Sequence, residues 1–345
     1  MKPVLGIETS CDETAAAVVD RDGQILAEAV LSQLSEHTPF GGVVPEIAAR
    51  AHLRHLPKLV RQVMDRAGLG FGDIGGIAAT SGPGLIGGLI VGCQFGKGIA
   101  ITNHLPFVAI NHLEAHALTV RLPGLIEGGV QFPYLLLLLS GGHSQCVAVA
   151  GTGHYVRLGG TVDDAVGEAF DKVAKLLGLG WPGGPALEQI AKEGVATTYL
   201  FPRPMSRRLG CDLSFSGLKT AVAHTVQRLG TDFCSRERSN IAASFQQAVV
   251  DVLADRAANA MDMMRHGFPH ANLLVVAGGV ASNAAIRAGL AATAQLHGYR
   301  FIAPPVRLCS DNAVMVAWAG VERLTNGWSD GLATSVRPRW AMDAL

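Results

Sequence analysis

The sequence lacks an excess of charge of either sign. It carries 28 Lys and Arg against 28 Asp and Glu, and only 16% of its residues are charged. A protein that holds nucleic acid on a broad basic surface usually shows such an excess, so any contact of that kind must come from a local patch or a basic partner. Long hydrophobic runs are missing too. The most apolar stretch, YLLLLL from Tyr134 to Leu139, is far too short to cross a bilayer and suits a strand buried on both faces. The six cysteines, Cys11, Cys93, Cys146, Cys211, Cys234 and Cys309, make no C-x-x-C pair. That argues against a disulfide framework or zinc ribbon and fits reduced thiols in a cytosol. No signal-peptide pattern precedes VLGIETS, no segment is low in complexity, and no linker is long enough to separate independent modules. The expectation is a cytoplasmic, soluble protein with no membrane contact.

Glycine, by contrast, is plentiful at 42 residues, as in chains with many tight turns and close backbone approaches to ligands. The first 30 residues read as three strands: PVLGIE, then TAAAVVD after a polar turn, then QILAEAV after the hairpin signal Asp22-Gly23. Residues 43–67 have helical spacing. IGGIAAT is a strand, SGPGLIGG a glycine-rich loop and LIVGCQFGKGIAITN a helix. Past residue 130 the same grammar returns with PYLLLLL, the turn SGGHS, QCVAVA and HYVRLG, and later with NLLVVA, GGVASN and a helix from AAIRAGLAATAQLHG. Two such halves imply an internal duplication. Two sheets, each with a polar turn after its first strand, can offer backbone N–H groups to opposite sides of a phosphate-bearing ligand. The fold class expected is α/β, a two-lobed, duplicated arrangement of the actin, Hsp70 and sugar-kinase type around a central cleft. Its lobes would be residues 1–110 and 111–345, with helix 311–325 packing back onto the first.

The segment NHLEAH places His112 and His116 one helical turn apart on one face, a spacing that suits two imidazoles on one metal ion and also arises by chance among 12 histidines. Glu114 points away from them. A zinc protease needs its glutamate beside the first histidine, where Leu113 stands here, so that activity loses its base. Two ligands are too few. Asp311, in the Ser-Asp-Asn turn before a helix, is a candidate third, although its ordinary role would be a helix N-cap. The one local arginine cluster is Arg203, Arg207 and Arg208, with Lys219 nearby; it suits phosphate contacts or a solvated basic face.

The segments GIETSCDETAAAVV, GGVVPEIAAR, SGPGLIGGL, NHLEAH, LSGGHS, GEAFDKVAKLLGLGWPGG, SFSGLKTA, GGVASN and CSDNAVMVA occur in order over nearly the whole chain. Together they resemble the tRNA N6-adenosine threonylcarbamoyltransferase (TsaD) family, with Phe40, Ala49 and Trp181 departing from its usual residues. The resemblance implies transfer of a threonylcarbamoyl group from threonylcarbamoyl-adenylate to N6 of the adenosine 3′ of the anticodon, in tRNAs that read codons beginning with A. It implies His112, His116 and Asp311 as ligands of one metal ion, iron in this family, with zinc also suited to that donor set. Leu138, Leu139, Ser140, Gly141 and Gly142 would cradle the phosphate and acyl part. Asp171 and Glu188 would accept the ribose hydroxyls, Gly184 would allow close approach to the nucleoside, and Asn283 would meet the adenine edge. Asp12 and Glu13, with Thr9 and Ser10 in the same turn, are the candidates for handling the proton or ordering the phosphate side; crowding of two carboxylates raises one pKa. Arg203, Arg207, Arg208 and Lys219 are the candidate tRNA contacts. ATP or ADP binding is a further expectation. The expected partners are tRNA, a smaller paralogous subunit on the N-terminal lobe, a small ATPase subunit and a synthase that supplies the adenylate. The competing readings are an ATP-dependent metabolite kinase of the same fold and a non-catalytic Hsp70-like scaffold.

Overall fold

The structure, a computed structural model, describes residues 1–230 and 234–345. The chain forms two compact units, residues 1–131 with 151–155 and 310–345, and residues 132–150 with 156–309.

The first unit is built on a five-stranded sheet of β1 (Val4–Glu8), β2 (Glu13–Val19), β3 (Ile25–Ser32), β4 (Gly76–Gly82) and β5 (Phe107–Asn111), in the order β3-β2-β1-β4-β5. β1 pairs antiparallel with β2 and parallel with β4. β1, β4 and β5 are buried throughout, whereas the edge strand β3 alternates, as a strand with one face toward water does. Its helices are the short α1 (Leu34–His37), then α2 (Pro45–Ala67), α3 (Ile86–Asn103) and α4 (His112–Leu118). α2 opens on Pro45, where the missing N–H costs nothing, and closes at Gly68, whose φ of 67° suits glycine. Leu5 and Ile7 of β1 join Leu56, Val60 and Phe107 in this unit's core.

The second unit repeats the plan with β6 (Tyr134–Leu139), β7 (Ser144–Gly151), β8 (His154–Gly160), β9 (Leu273–Ala277) and β10 (Arg300–Ile302), in the order β10-β9-β6-β7-β8. β6 is antiparallel to β7 and parallel to β9. Each sheet therefore places its own strands in the order third, second, first, fourth, fifth, so the duplication read from the pattern is present in the topology. Helices α5 (Val166–Leu176), α6 (Gly183–Ala191), α7 (Ser216–Leu229), α8 (Ser235–Gly267) and α9 (Ala284–Leu296) belong here. Their apolar faces and Leu135, Leu137 and Leu139 of β6 make the second core. No helix among the described residues is long and apolar enough to cross a membrane.

The last helix, α10 (Ala313–Thr325), returns to the first unit and packs on β1, β2 and β4. The expected boundary after residue 110 differs from the observed division. β5 pairs with β4, and α4 packs against α10 and β5, so residues 111–131 stay with the first unit. The expected glycine-rich loop is shorter than SGPGLIGG, since β4 runs to Gly82 and α3 begins at Ile86.

Gly6 explains how close α10 comes. Leu5 and Ile7 face the core, so Gly6 faces the opposite side of the sheet, where an added Cβ would lie 2.4 Å from the Ala313 carbonyl oxygen and 2.5 Å from the Ala317 nitrogen. Both are backbone atoms and cannot swing aside. Gly6→Ala should lower the stability of the protein by about 1–3 kcal/mol, the usual cost of overpacking, as read by urea unfolding.

Candidate metal centre and substrate turn

α4 begins directly at the end of β5. Asn111 caps it, its Oδ1 accepting from the backbone N–H of Leu113 (2.9 Å) and Glu114 (3.3 Å). The side-chain Nδ2 of Asn111 donates to the Trp340 carbonyl at 3.1 Å, which fixes the orientation of the amide. The cap starts the helix at His112, and His116 follows one turn later; both are buried. Asp311 Oδ1 lies 3.3 Å from His112 Nε2 and 3.2 Å from His116 Nε2. The ligand atoms of His112, His116 and Asp311 all fall within 4.8 Å of one another. Donors that share an ion at about 2.1 Å stand roughly 3–3.4 Å apart; both nitrogen–oxygen pairs have that spacing, so the donor set suits a metal ion.

Sequence alone favoured Asp311 as the cap of α10. The cap is instead Asn312, whose Oδ1 accepts from Met315 N at 3.0 Å. That leaves the Asp311 carboxylate to the imidazoles. His112 and His116 hold its pKa far below the usual carboxylate range, although burial acts the other way. His112 itself is pushed well above the ordinary histidine value, because Asp311 and Glu8 on its two sides outweigh the desolvation.

Glu8 was not foreseen as a site residue. It ends β1 at 0% exposure and takes three donors: Ser10 N at 2.5 Å on Oε1, Thr80 Oγ1 at 2.6 Å and His112 Nδ1 at 3.1 Å on Oε2. Ser10 Oγ stands 3.3 Å from the same Nδ1. Burial would raise the pKa of Glu8, and the contacts with His112 bring it below its ordinary value. The only local signal was an acidic residue closing an otherwise apolar strand run.

Asp12 and Glu13 stand half-buried in the turn between β1 and β2. Burial, then the charges of Asp311 and Asp12, push the Glu13 acid up to about 9, the outcome expected of crowded carboxylates. Thr9 Oγ1 donates to the Gly88 carbonyl, tying this turn to α3. Glu114 faces away from the pair, as expected. It is fully buried and accepts from Arg323 (Nε, 2.9 Å) and Tyr155 (Oη, 3.0 Å). That ion pair joins α4, which carries both histidines, to α10, whose N-cap Asn312 directly follows Asp311.

In the second unit, the turn after β6 is closed by Ser140 N donating to the His143 carbonyl (2.8 Å) and His143 N donating to Ser140 Oγ (3.0 Å). Gly141 and Gly142 are exposed at its tip, and a Cβ on either would meet nothing within 4 Å. Leu138 and Leu139 are buried strand residues, so only their backbone is available to a ligand. Asp171 Oδ1 accepts from Gly183 N (2.8 Å), and Glu188 Oε1 from Ala284 N (2.8 Å). Gly184 borders open space. Asn283 caps α9, its Oδ1 accepting from Ile286 N (3.0 Å) while its Nδ2 donates to Gln246 (2.9 Å); both polar groups of the side chain are engaged inside the unit.

The basic cluster divides. Arg203 is paired with Asp251 (2.7 Å) and Lys219 with Asp164 (2.8 Å), while Arg207 and Arg208 are exposed. Next to Asp164, Asp163 accepts from Ser214 Oγ (2.5 Å), Ser216 Oγ (2.6 Å) and Phe215 N (2.8 Å), pinning the start of α7.

A duplicated five-stranded mixed sheet of this order, with a polar turn after the first strand of each copy, defines an α/β protein of the actin, Hsp70 and sugar-kinase class. Solved structures share the fold. HypF of T. kodakarensis aligns with a TM-score of 0.63 at 14% identity over 94% of this chain and 48% of its own. Component A of (R)-2-hydroxyglutaryl-CoA dehydratase from Acidaminococcus fermentans aligns at 0.52 and 14% over 92% and 97%. In sequence, the family model for tRNA N6-adenosine threonylcarbamoyltransferase (TsaD) matches residues 24–318. Proteins described by that name are 62% identical in Granulibacter bethesdensis, over 99% of this chain and 94% of theirs, and 56% identical in Paramagnetospirillum magneticum, over 99% and 97%. The chain belongs to the tRNA N6-adenosine threonylcarbamoyltransferase family, and is an enzyme of tRNA modification.

Asp163 supplies a pH test of the second unit. Burial works against it, but the hydroxyls of Ser214 and Ser216 and two backbone N–H groups lower its pKa to about 2 from an ordinary 3.8. A group depressed on folding stabilises fully above its unfolded value and loses that contribution as pH falls through its folded one. Asp163→Asn should therefore be less stable than the parent at pH 6. The difference should shrink between about pH 4 and 2, as read by urea midpoints.

Proposed function

We propose that this chain transfers the threonylcarbamoyl group of threonylcarbamoyl-adenylate to N6 of the adenosine 3′ of the anticodon, in tRNAs reading codons that begin with A, with release of AMP. The observation that carries this reading is the convergence of His112 Nε2, His116 Nε2 and Asp311 Oδ1 in a chain of this family. Those three residues would hold one ion, which we take to be iron, with zinc equally suited to the donors. When bound, the ion supplies a Lewis acid for the oxygens of the donor.

The remaining work falls to the protein's own groups. An exocyclic adenine amine is a poor nucleophile, so the donor and acceptor must be held in line and the amine proton removed. Of the neighbouring carboxylates Asp12 and Glu13, which share a hydrogen bond, Glu13 keeps its own proton at neutral pH; Asp12 is therefore our choice for receiving the amine proton, with Glu13 donating to it. The exposed Gly141–Gly142 tip presents backbone N–H groups to the phosphate and acyl part, with Ser140 closing the turn. Asp171 and Glu188 accept the ribose hydroxyls, Gly184 leaves room for the nucleoside, and Asn283 shapes the start of α9 beside Glu188. ATP or ADP would use the same nucleoside residues. Leu113 beside His112, and the commitment of Glu114 to Arg323, leave α4 without the base that a zinc protease uses to activate water, which suits an enzyme whose donor must be spared from hydrolysis.

Phosphates of the tRNA would meet Arg207 and Arg208, the exposed members of the basic cluster. The smaller paralogous subunit would cover the first unit where Leu53 of α2 and Ile86 and Ile90 of α3 are 67%, 50% and 45% exposed. A small ATPase subunit and an adenylate synthase complete the system, in the cytoplasm. The metabolite-kinase reading would leave His112, His116 and Asp311 without a role.

The test is a reconstituted modification assay with this protein, its partner subunits, unmodified tRNA and threonylcarbamoyl-adenylate, with nucleosides read by mass spectrometry. Wild type should form threonylcarbamoyladenosine, and His116→Ala should lose at least 100-fold of that rate, in the range seen when a group that stabilises developing charge is removed. Product from the variant at the parental rate would reduce NHLEAH to a structural helix. No product from wild type would favour the kinase reading, which ATP turnover with metabolites would then check.

A further inference from the structure

We propose that Glu8 is the positioning residue of the metal centre, its carboxylate holding His112 in the one tautomer that offers Nε2 to an ion. The inference rests on the metal reading above. To ligate through Nε2, the atom that faces Asp311 Oδ1 at 3.3 Å, a neutral imidazole must carry its proton on Nδ1. Nδ1 faces Glu8 Oε2 at 3.1 Å.

Everything that reaches the Glu8 carboxylate is a donor. Ser10 N–H approaches Oε1, and Thr80 Oγ1 and His112 Nδ1 approach Oε2. Only an ionised carboxylate accepts on both oxygens. A glutamine of the same shape has one acceptor and one donor end, and either orientation conflicts with a ligating His112. With its amide nitrogen toward His112, the imidazole must turn its Nδ1 lone pair inward and keep its proton on Nε2, which closes that nitrogen to a metal. With the nitrogen toward Ser10, two N–H groups oppose each other at a site that is 0% exposed. Before a metal binds, the first orientation pairs the amide with both His112 and the Ser10 N–H, and only the Thr80 hydroxyl must turn to another acceptor. Glu8→Gln should therefore penalise the loaded protein more than the metal-free one, whereas at a residue that merely filled space the isosteric change would leave metal affinity untouched.

The experiment titrates Co2+ into the metal-free full-length chain, following visible absorption and competition with a chelator, with urea unfolding of the metal-free proteins alongside. Glu8→Gln should bind Co2+ about 10- to 100-fold more weakly than wild type, as outer partners of metal-bound histidine usually do when changed. Thr80→Val removes one donor from Glu8 and leaves its contact with His112, so its affinity should stay within a few-fold of wild type. In a His112→Ala background, adding Glu8→Gln should cost no further affinity. Wild-type affinity in Glu8→Gln, or a loss in Thr80→Val as large as in Glu8→Gln, would overturn the proposal. If wild type and His116→Ala were equally unable to bind Co2+, the metal reading would fall and take this one with it. Should Glu8→Gln not fold, Glu8→Asp, whose carboxylate is withdrawn by one methylene from His112, replaces it with the same expected loss.

Discussion

One carboxylate oxygen, Asp311 Oδ1, stands within 3.3 Å of two imidazole nitrogens, and much of the first unit serves to keep it there. Removing a carboxylate from water is costly unless partners compensate it. Each neighbour here is compensated in turn. Asp311 faces both histidines, His112 faces Glu8, and Glu8 is closed off by Thr80 and the Ser10 backbone. At the far end of α10, Arg323 pairs with Glu114 of α4 at 2.8 Å and Glu322 with Arg121 beyond α4 at 2.7 Å, and Thr152 donates to Glu322 at 2.6 Å. α4 and α10 are thus tied together by charges of opposite sign. Gly6 adds the condition that lets α10 lie against β1 at all.

The support around the two histidines is unequal. His112 is braced from behind by Glu8, whereas His116 Nδ1 is buried with no hydrogen-bond partner. The polar contact that orients the His116 ring is the one from its Nε2 to Asp311, and burial holds the rest of it. The centre therefore combines one ligand set by a carboxylate with another set by the helix.

Much of the fold was legible because it was written in local patterns. Apolar runs interrupted by Gly and Asp turns marked β1 to β3 and β6 to β8, and the repetition of that pattern anticipated two sheets of one topology. NHLEAH showed a histidine pair by spacing, and the order of nine motifs gave the family. What was not legible depended on partners distant in the chain. Asp311 and Asn312 are adjacent polar residues before a helix, and only tertiary packing decides which one caps it. Glu8 looked like the end of a strand because its partners Thr80 and His112 lie 72 and 104 residues away. Arg203 and Lys219 belonged to a basic cluster in the sequence, yet Asp251 and Asp164, each from another segment, claim them. The division after residue 110 erred for a similar reason, since β5 and α4 are held by β4 and by a helix 200 residues further on.

The discontinuity of the first unit has a consequence for how the protein is made. Its sheet and both histidines are complete within the first 131 residues, but Asp311 follows His116 by 195 positions, with the second unit's sequence between them. At typical synthesis rates the ribosome needs roughly 10 to 40 seconds to cover that interval. Through that time the nascent sheet presents two imidazoles without their carboxylate, and the face of β1 around Gly6 awaits its helix. Assembly of the centre is thereby a late event, timed by the arrival of the final segment of the chain.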